Sequence, residues 1–321
     1  MKRETNQYLS LVEDFSREYL SECSRSYEHN GSLPEALLHR IEEIGFREII
    51  AGGFSNNRFM SSLHLSELIH VMARGDAPLA LHLMNGVVFE ALQDRLNTRL
   101  DPLPVVPYEN DSFLMLGSIS DKETYTILPG KGGYELAVIS LNDIKHVRYM
   151  GFSGTLFCRI GEAKRIKTIS LVDRDAYLCF LGDIGNFSLS LLSGLLKSAI
   201  AYAHDYAKQR IAFGRPIIRF QAISQKLADL AIAYESFYHY YSDLLGNYSV
   251  NRLIERIPLA MDKAVDIVDT ITEESVQIMG GYGYLKDYPA EKRMRDGQVL
   301  KLMLLELKGA MASVRQSYPL S

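Results

Sequence analysis

The residues best suited to chemistry lie late in the chain, between Gln277 and Asp296, in the stretch QIMGGYGYLKDYPAEKRMRD. There Gly280-Gly281-Tyr282-Gly283 directly follows a helical segment. Paired glycines let the backbone take positive φ and bring bare N–H groups close to a ligand. The same pair can simply cap a helix and open a loop, so both readings stand. The charges that follow, Lys286, Asp287, Glu291, Arg295 and Asp296, read as a salt-bridged corner, because nothing in their spacing demands chemistry. Other candidates fall away quickly. Pro129-Gly130-Lys131-Gly132-Gly133 has neither a Lys-Ser/Thr pair nor a helix start after it, which rules out a phosphate-binding P-loop. Cys23, Cys158 and Cys179 are too few and too scattered for a disulfide framework or a zinc site. His204 and His239 have no matching ligand pair, so no metal is expected.

Such groups need a scaffold, and composition bounds it. A chain of 321 residues, 47% hydrophobic, can bury a substantial core in two or three domains. A net charge of −4 implies no basic surface, so nucleic acid is not an expected partner. The N-terminal MKRETNQYLSLVED lacks an apolar run of signal-peptide length. No stretch reads as the roughly 20 apolar residues that span a bilayer. A cytoplasmic protein without a membrane span is expected.

Periodicity divides the chain into three. Residues 1–100 read as helical: Ser32-Leu33-Pro34-Glu35 is a capping box, and Asp76 is a good N-cap for a later helix. Met84-Asn85-Gly86 suits a close helix contact. Prolines at 102, 104 and 107 suit neither helix nor central strand and mark a boundary. Residues 101–183 carry short β-branched and aromatic runs between glycine clusters, the pattern of a small antiparallel β domain. Residues 184–321 return to helical periodicity, with long segments near Leu191–Ile200, Phe220–Leu245, Leu259–Met279 and Gln298–Ser313. Four such segments with short connections predict an antiparallel bundle. Tyr234, Phe237, Tyr238 and Tyr241 recur at helical spacing and read as a packed aromatic seam.

Two motifs make the chain resemble a known family. QIxGGxGYxxDxPxExxxRD at 277–296 resembles the C-terminal signature of the acyl-CoA dehydrogenase flavoproteins. RxxFGxxIxxFQ, here Arg210, Phe213, Gly214, Ile217, Phe220 and Gln221, matches a second family motif in the right order. The resemblance implies a mainly α protein: an N-terminal helical domain, a central β domain and a C-terminal four-helix bundle. It implies FAD as cofactor. Arg210 would meet the flavin pyrophosphate of a neighbouring subunit, with Phe213 and Gln221 on the adenine side and Gln277, Gly280 and Gly281 completing the site. A guanidinium fork suits a phosphate; an arginine ending a helix also suits the helix dipole. A site shared between chains implies an oligomer, either a homo-oligomer (dimer or tetramer) or a hetero-oligomer with a homologous subunit.

The chain also departs from the family pattern. The usual glutamate base, which opens a Glu-Gly-Thr turn a fixed distance after Arg295-Asp296, falls on Leu304. Glu306 is the catalytic candidate that remains, although two residues along a continuous helix is a turn of roughly 200°. Asp183, in Gly182-Asp183-Ile184-Gly185-Asn186, reads as an N-cap or turn residue. There is no tryptophan, so the family's flavin-walling segment has no equivalent. Two functions follow from the resemblance. One is FAD-dependent α,β-oxidation of an acyl thioester carried by CoA or a carrier protein. The other is a catalytically silent homologue acting as a partner subunit or binding module that completes another chain's flavin site.

Overall fold

The computed structural model describes residues 2–21, 23–24, 28, 35–43, 62–81, 105–106, 108–109, 112–113, 123–130, 133–140, 144–147, 151–152, 157–160, 165–246 and 250–316. Ser32, Leu33 and Pro34 of the capping box, and Met84-Asn85-Gly86, lie outside these residues.

The N-terminal helices are α1 (Lys2–Phe15), extended by a π-helical turn at Ser16–Leu20, then α2 (Glu35–Glu43) and α3 (Ser62–Gly75). Asp76 caps the turn after α3 as expected, accepting from the Leu79 amide at 2.9 Å. The β strands follow as β1 (Val105–Val106), β2 (Tyr108–Glu109), β3 (Ser112–Phe113), β4 (Glu123–Gly130), β5 (Gly133–Ser140), β6 (Ile144–Val147), β7 (Phe157–Ile160) and β8 (Arg165–Val172). A four-stranded sheet has the order β1-β4-β5-β8. Its pairs are antiparallel except for the two-residue β1–β4 pair, which is parallel. The β4–β5 hairpin closes on the Gly130–Gly133 pair, where Gly133 takes φ +135°.

The bundle consists of α4 (Arg174–Gln209), α5 (Gln221–Gly246), α6 (Val250–Met279) and α7 (Ala290–Gln316). Three of these start earlier than their sequence patterns indicate, α4 most of all. Its N-cap is Asp173, whose carboxylate accepts from the Ala176 amide at 2.8 Å. The helix then runs straight through Gly182–Asn186, so Asp183 is a buried helical residue and not a cap. Gly185 in that stretch packs closely: a Cβ there would collide with Met261 on α6. α4 is also long and apolar enough to cross a membrane, contrary to the sequence reading, but its apolar stretch is wholly buried within the protein.

The aromatic seam is packed as expected. Tyr234, Phe237 and Tyr241 are buried, with Phe237 stacked on Tyr241 and Tyr234 on Tyr238. Tyr241 donates to Asn186 Oδ1 at 2.8 Å, and Tyr234 meets Ser193 at 3.2 Å, so the buried hydroxyls are satisfied. α3 crosses α4 at Gly194, where a Cβ would come within 2.8 Å of that of Ala73.

The charged corner at the start of α7 is salt-bridged, and it joins all three parts of the chain. Arg295 bonds Glu291 and Glu28, each at 2.7 Å. Beneath them Lys292 donates to Asp296 and to Asp76, also at 2.7 Å each. Asp296 accepts from the Phe152 amide at 2.6 Å, and Gly151 abuts the Arg295 backbone too closely for any side chain. Burial works against the Lys292 ammonium, but Asp296 and Asp76 outweigh it and raise its pKa.

Candidate functional site

α4 ends at Gln209, and Arg210 forms its C-cap, donating its amide to the Tyr206 carbonyl at 2.8 Å. A small hairpin follows, β9 (Ile211–Ala212) with β10 (Arg215–Pro216). Its two central residues, Phe213 and Gly214, have φ of +50° and +78°, the left-handed pair that a two-residue hairpin turn requires. The turn leaves the Phe213 ring 97% exposed, touched edge-on by Phe220 at 6.2 Å. Arg215 lies 4.2 Å over the other end of that pair, on the Phe220 ring. Gln221 then opens α5, exposed.

The second motif comes from the far end of α6. That helix stops at Met279, Gly280 takes φ +60°, and Gly280–Tyr284 forms a tight 3₁₀ turn. Tyr282 from this turn lies against the Arg210 guanidinium, with 5.3 Å between Cζ and the ring centre. Tyr206 and Tyr288 flank Tyr282 at 6.3 and 5.4 Å. Together they form an open groove of about 510 Å³, lined by Tyr206, Arg210, Ile217, Met279, Gly280 and Gly281 among others. Added Cβ atoms on Gly280 and Gly281 would meet nothing within 4 Å, so the backbone itself forms that wall.

Three of the expected cofactor residues, Arg210, Gly280 and Gly281, therefore share one groove although 70 positions apart in sequence (about one residue in five of the chain). Phe213, Gln221 and Gln277 are not among its lining residues, and all three are exposed. The glycine pair does end a helix, and the same two residues form part of the groove wall. Arg210 likewise is a helix cap and a groove cation at once. Tyr206 and Tyr282 line the groove but were not singled out in the sequence; Tyr206, one turn before Arg210 on the same helical face, was the readable signal. Burial pushes the Tyr206 pKa up, against the opposing charge of Arg210. No carboxylate is among the described lining residues, so the positive charge of Arg210 is not neutralised within the groove.

The proposed base lies elsewhere. α7 is uninterrupted from Ala290 to Gln316, and no turn breaks it near Leu304, which is fully buried in the core. Glu306 is partly exposed on the same helix. Among the described residues no cluster of His, Cys, Asp and Glu could hold a metal. The groove holds one guanidinium, Arg210, with no acid among its described lining residues, and a guanidinium fork suits a diphosphate.

Residues 189–304 match the model of the acyl-CoA dehydrogenase C-terminal domain. An acyl-CoA dehydrogenase of Bacillus subtilis is 41% identical over 124 residues, covering 38% of this chain and 32% of that protein. A short-chain-specific acyl-CoA dehydrogenase of Megasphaera elsdenii is 36% identical over 115 residues, covering 34% and 29%. These matches thus span about a third of each curated relative. Fold similarity reaches further. Butyryl-CoA dehydrogenase from Megasphaera elsdenii superposes with a TM-score of 0.71 at 19% identity, over 97% of this chain and 98% of that one. A prolyl acyl carrier protein oxidase gives 0.73 at 14% identity, over 99% of both chains.

Proposed function

We propose that this chain, which matches the acyl-CoA dehydrogenase C-terminal domain over residues 189–304 and shares its fold with such an enzyme over nearly its whole length, serves the FAD-dependent α,β-oxidation of an acyl thioester. The acyl group is carried by CoA or a carrier protein, the assembly is oligomeric, and the location is cytoplasmic. The supporting observation is the groove that Arg210 shares with Gly280 and Gly281, with no acid among its described lining residues. Arg210 binds the diphosphate of FAD as a bidentate donor, and the glycine backbone lets that diphosphate approach closely. Phe213 and Gln221, both exposed, take the adenine side. FAD itself supplies the hydride acceptor. An aromatic ring held out in water at positive φ is costly in isolation and makes sense against a neighbouring subunit. In the family reading Gln277 belongs to the same shared site.

A second reading has its own support. With Leu304 fully buried on an unbroken α7, this chain places no carboxylate where the family has its base. The chain then acts as a silent subunit that completes the flavin site of a homologous partner. Glu306 acts as base only under the first reading, and only if α7 is remodelled.

Titration of the purified chain with FAD, read by absorbance near ~450 nm, tests the shared premise. Uptake that Arg210→Ala weakens at least about tenfold supports the groove as the flavin site. Protein that takes up no FAD, alone or with a homologous partner, refutes it. If flavin binds, bleaching by an acyl thioester that Glu306→Gln abolishes favours the enzyme; bleaching unchanged by Glu306→Gln removes Glu306 as base.

A further inference from the structure

A cavity of about 210 Å³ lies where four elements meet: the π-helical turn after α1, the end of α3, the second half of α4 and the start of α7. It is lined by three guanidinium groups, Arg17, Arg74 and Arg293, against two carboxylates, Glu13 and Asp205. Arg74 is held by Glu13 and Arg17 by Asp14, each at 2.6 Å. Arg293 differs from both. Its Nε donates to Ser198 Oγ at 2.6 Å, and the Tyr202 ring lies 5.4 Å from its Cζ. Its Nη1 is buried and has no acceptor.

An ionic donor left unmet inside a protein is disfavoured, and such atoms are rare without a reason. The nearby acids do not provide the acceptor, since Asp76 and Asp296 are occupied by Lys292, Ser24 and the Phe152 amide. Burial also holds the Arg293 pKa below its usual value, partly offset by Asp76, Tyr202 and Asp296. An added negative charge in the cavity would relieve both penalties. The adjoining π turn is a further sign, because such turns are uncommon and frequently accompany functional sites.

We propose that this cavity is a binding site for a small oxyanion, a carboxylate or phosphate group, with Arg293 as its inner donor and the largely exposed Arg17 at its rim. The site is separate from the Arg210 groove: Tyr202 lines one and Tyr206, a turn later on α4, lines the other. It does not depend on flavin binding.

Calorimetric titration of the full chain in a zwitterionic buffer, with inorganic phosphate in one arm and acetate in the other, tests this directly. The expected result is saturable binding in at least one arm, which also shows which oxyanion is taken. Arg293→Leu should abolish that binding. Arg17→Ala, a change at an exposed residue that leaves the core intact, should weaken it severalfold while Arg210→Ala leaves it unchanged. Absence of saturable binding in both arms, or binding that survives unchanged in both Arg293→Leu and Arg17→Ala, overturns the proposal.

Discussion

At the scale of single residues, the most informative side chains are polar ones in apolar surroundings. His70 is the clearest for pH. Burial, then the positive charges of Arg74 and Lys197, lower its pKa from 6.5 to about 3. Its Nδ1 meets Ser193 Oγ at 3.1 Å and its ring lies 5.6 Å from Tyr238. The folded protein therefore holds His70 neutral while the unfolded chain protonates it below its ordinary value. As pH falls from 6.5 toward 3 the unfolded state binds the extra proton, so stability falls with it; above 6.5 the term is constant. Denaturant titrations across that window should show a loss of up to about 1.4 kcal/mol per pH unit from this group. His70→Gln, which keeps a partner for Ser193, should flatten the slope. The aromatic seam that Ser193 joins was legible from spacing alone. His70 was not, because its environment comes from two helices more than 100 residues apart in sequence.

At the scale of elements, the glycines separate packing from function. Gly194 and Gly281 look alike in sequence. An alanine at Gly194 would push its Cβ into the α3 backbone at His70, whereas Gly281 has open space around it. Gly194→Ala should cost about 1–3 kcal/mol, and Gly281→Ala should stay within about 0.5 kcal/mol; urea unfolding of the two variants checks the contrast. The same distinction explains how much of the fold could be read. Four helices and a small β domain follow from periodicity, and their order from two motifs. The start of α4 was missed because Gly182 and Gly185 imitate a turn, although both lie inside the helix and Gly185 packs closely against α6. The sequence pattern places the start of α6 near Leu259, whereas the helix begins at Val250 and carries Pro258 inside. In the candidate site, Arg210, Gly280 and Gly281 were legible, while Tyr282 occupies a position the motif leaves open.

At the scale of the molecule, the corner around Lys292 matters most. One ammonium serves Asp76 of the N-terminal helices and Asp296 of α7, and Asp296 in turn holds the Phe152 amide of the β region. Removing the cation leaves two buried carboxylates facing each other. Lys292→Met should therefore cost about 3–5 kcal/mol and expose the N-terminal helices to proteolysis. Lys292→Met combined with Asp76→Asn should recover part of that loss in a double-mutant cycle. The corner also has a consequence in time. Lys292 stands 216 positions after Asp76, so during synthesis the carboxylate is made long before its counter-charge. Until the start of α7 leaves the ribosome, the early helices cannot bury Asp76 without an uncompensated charge. Their final docking is thereby tied to near-completion of the chain, and nascent chains ending before Ala290 should remain protease-sensitive in their N-terminal third even when the bundle's first three helices have formed.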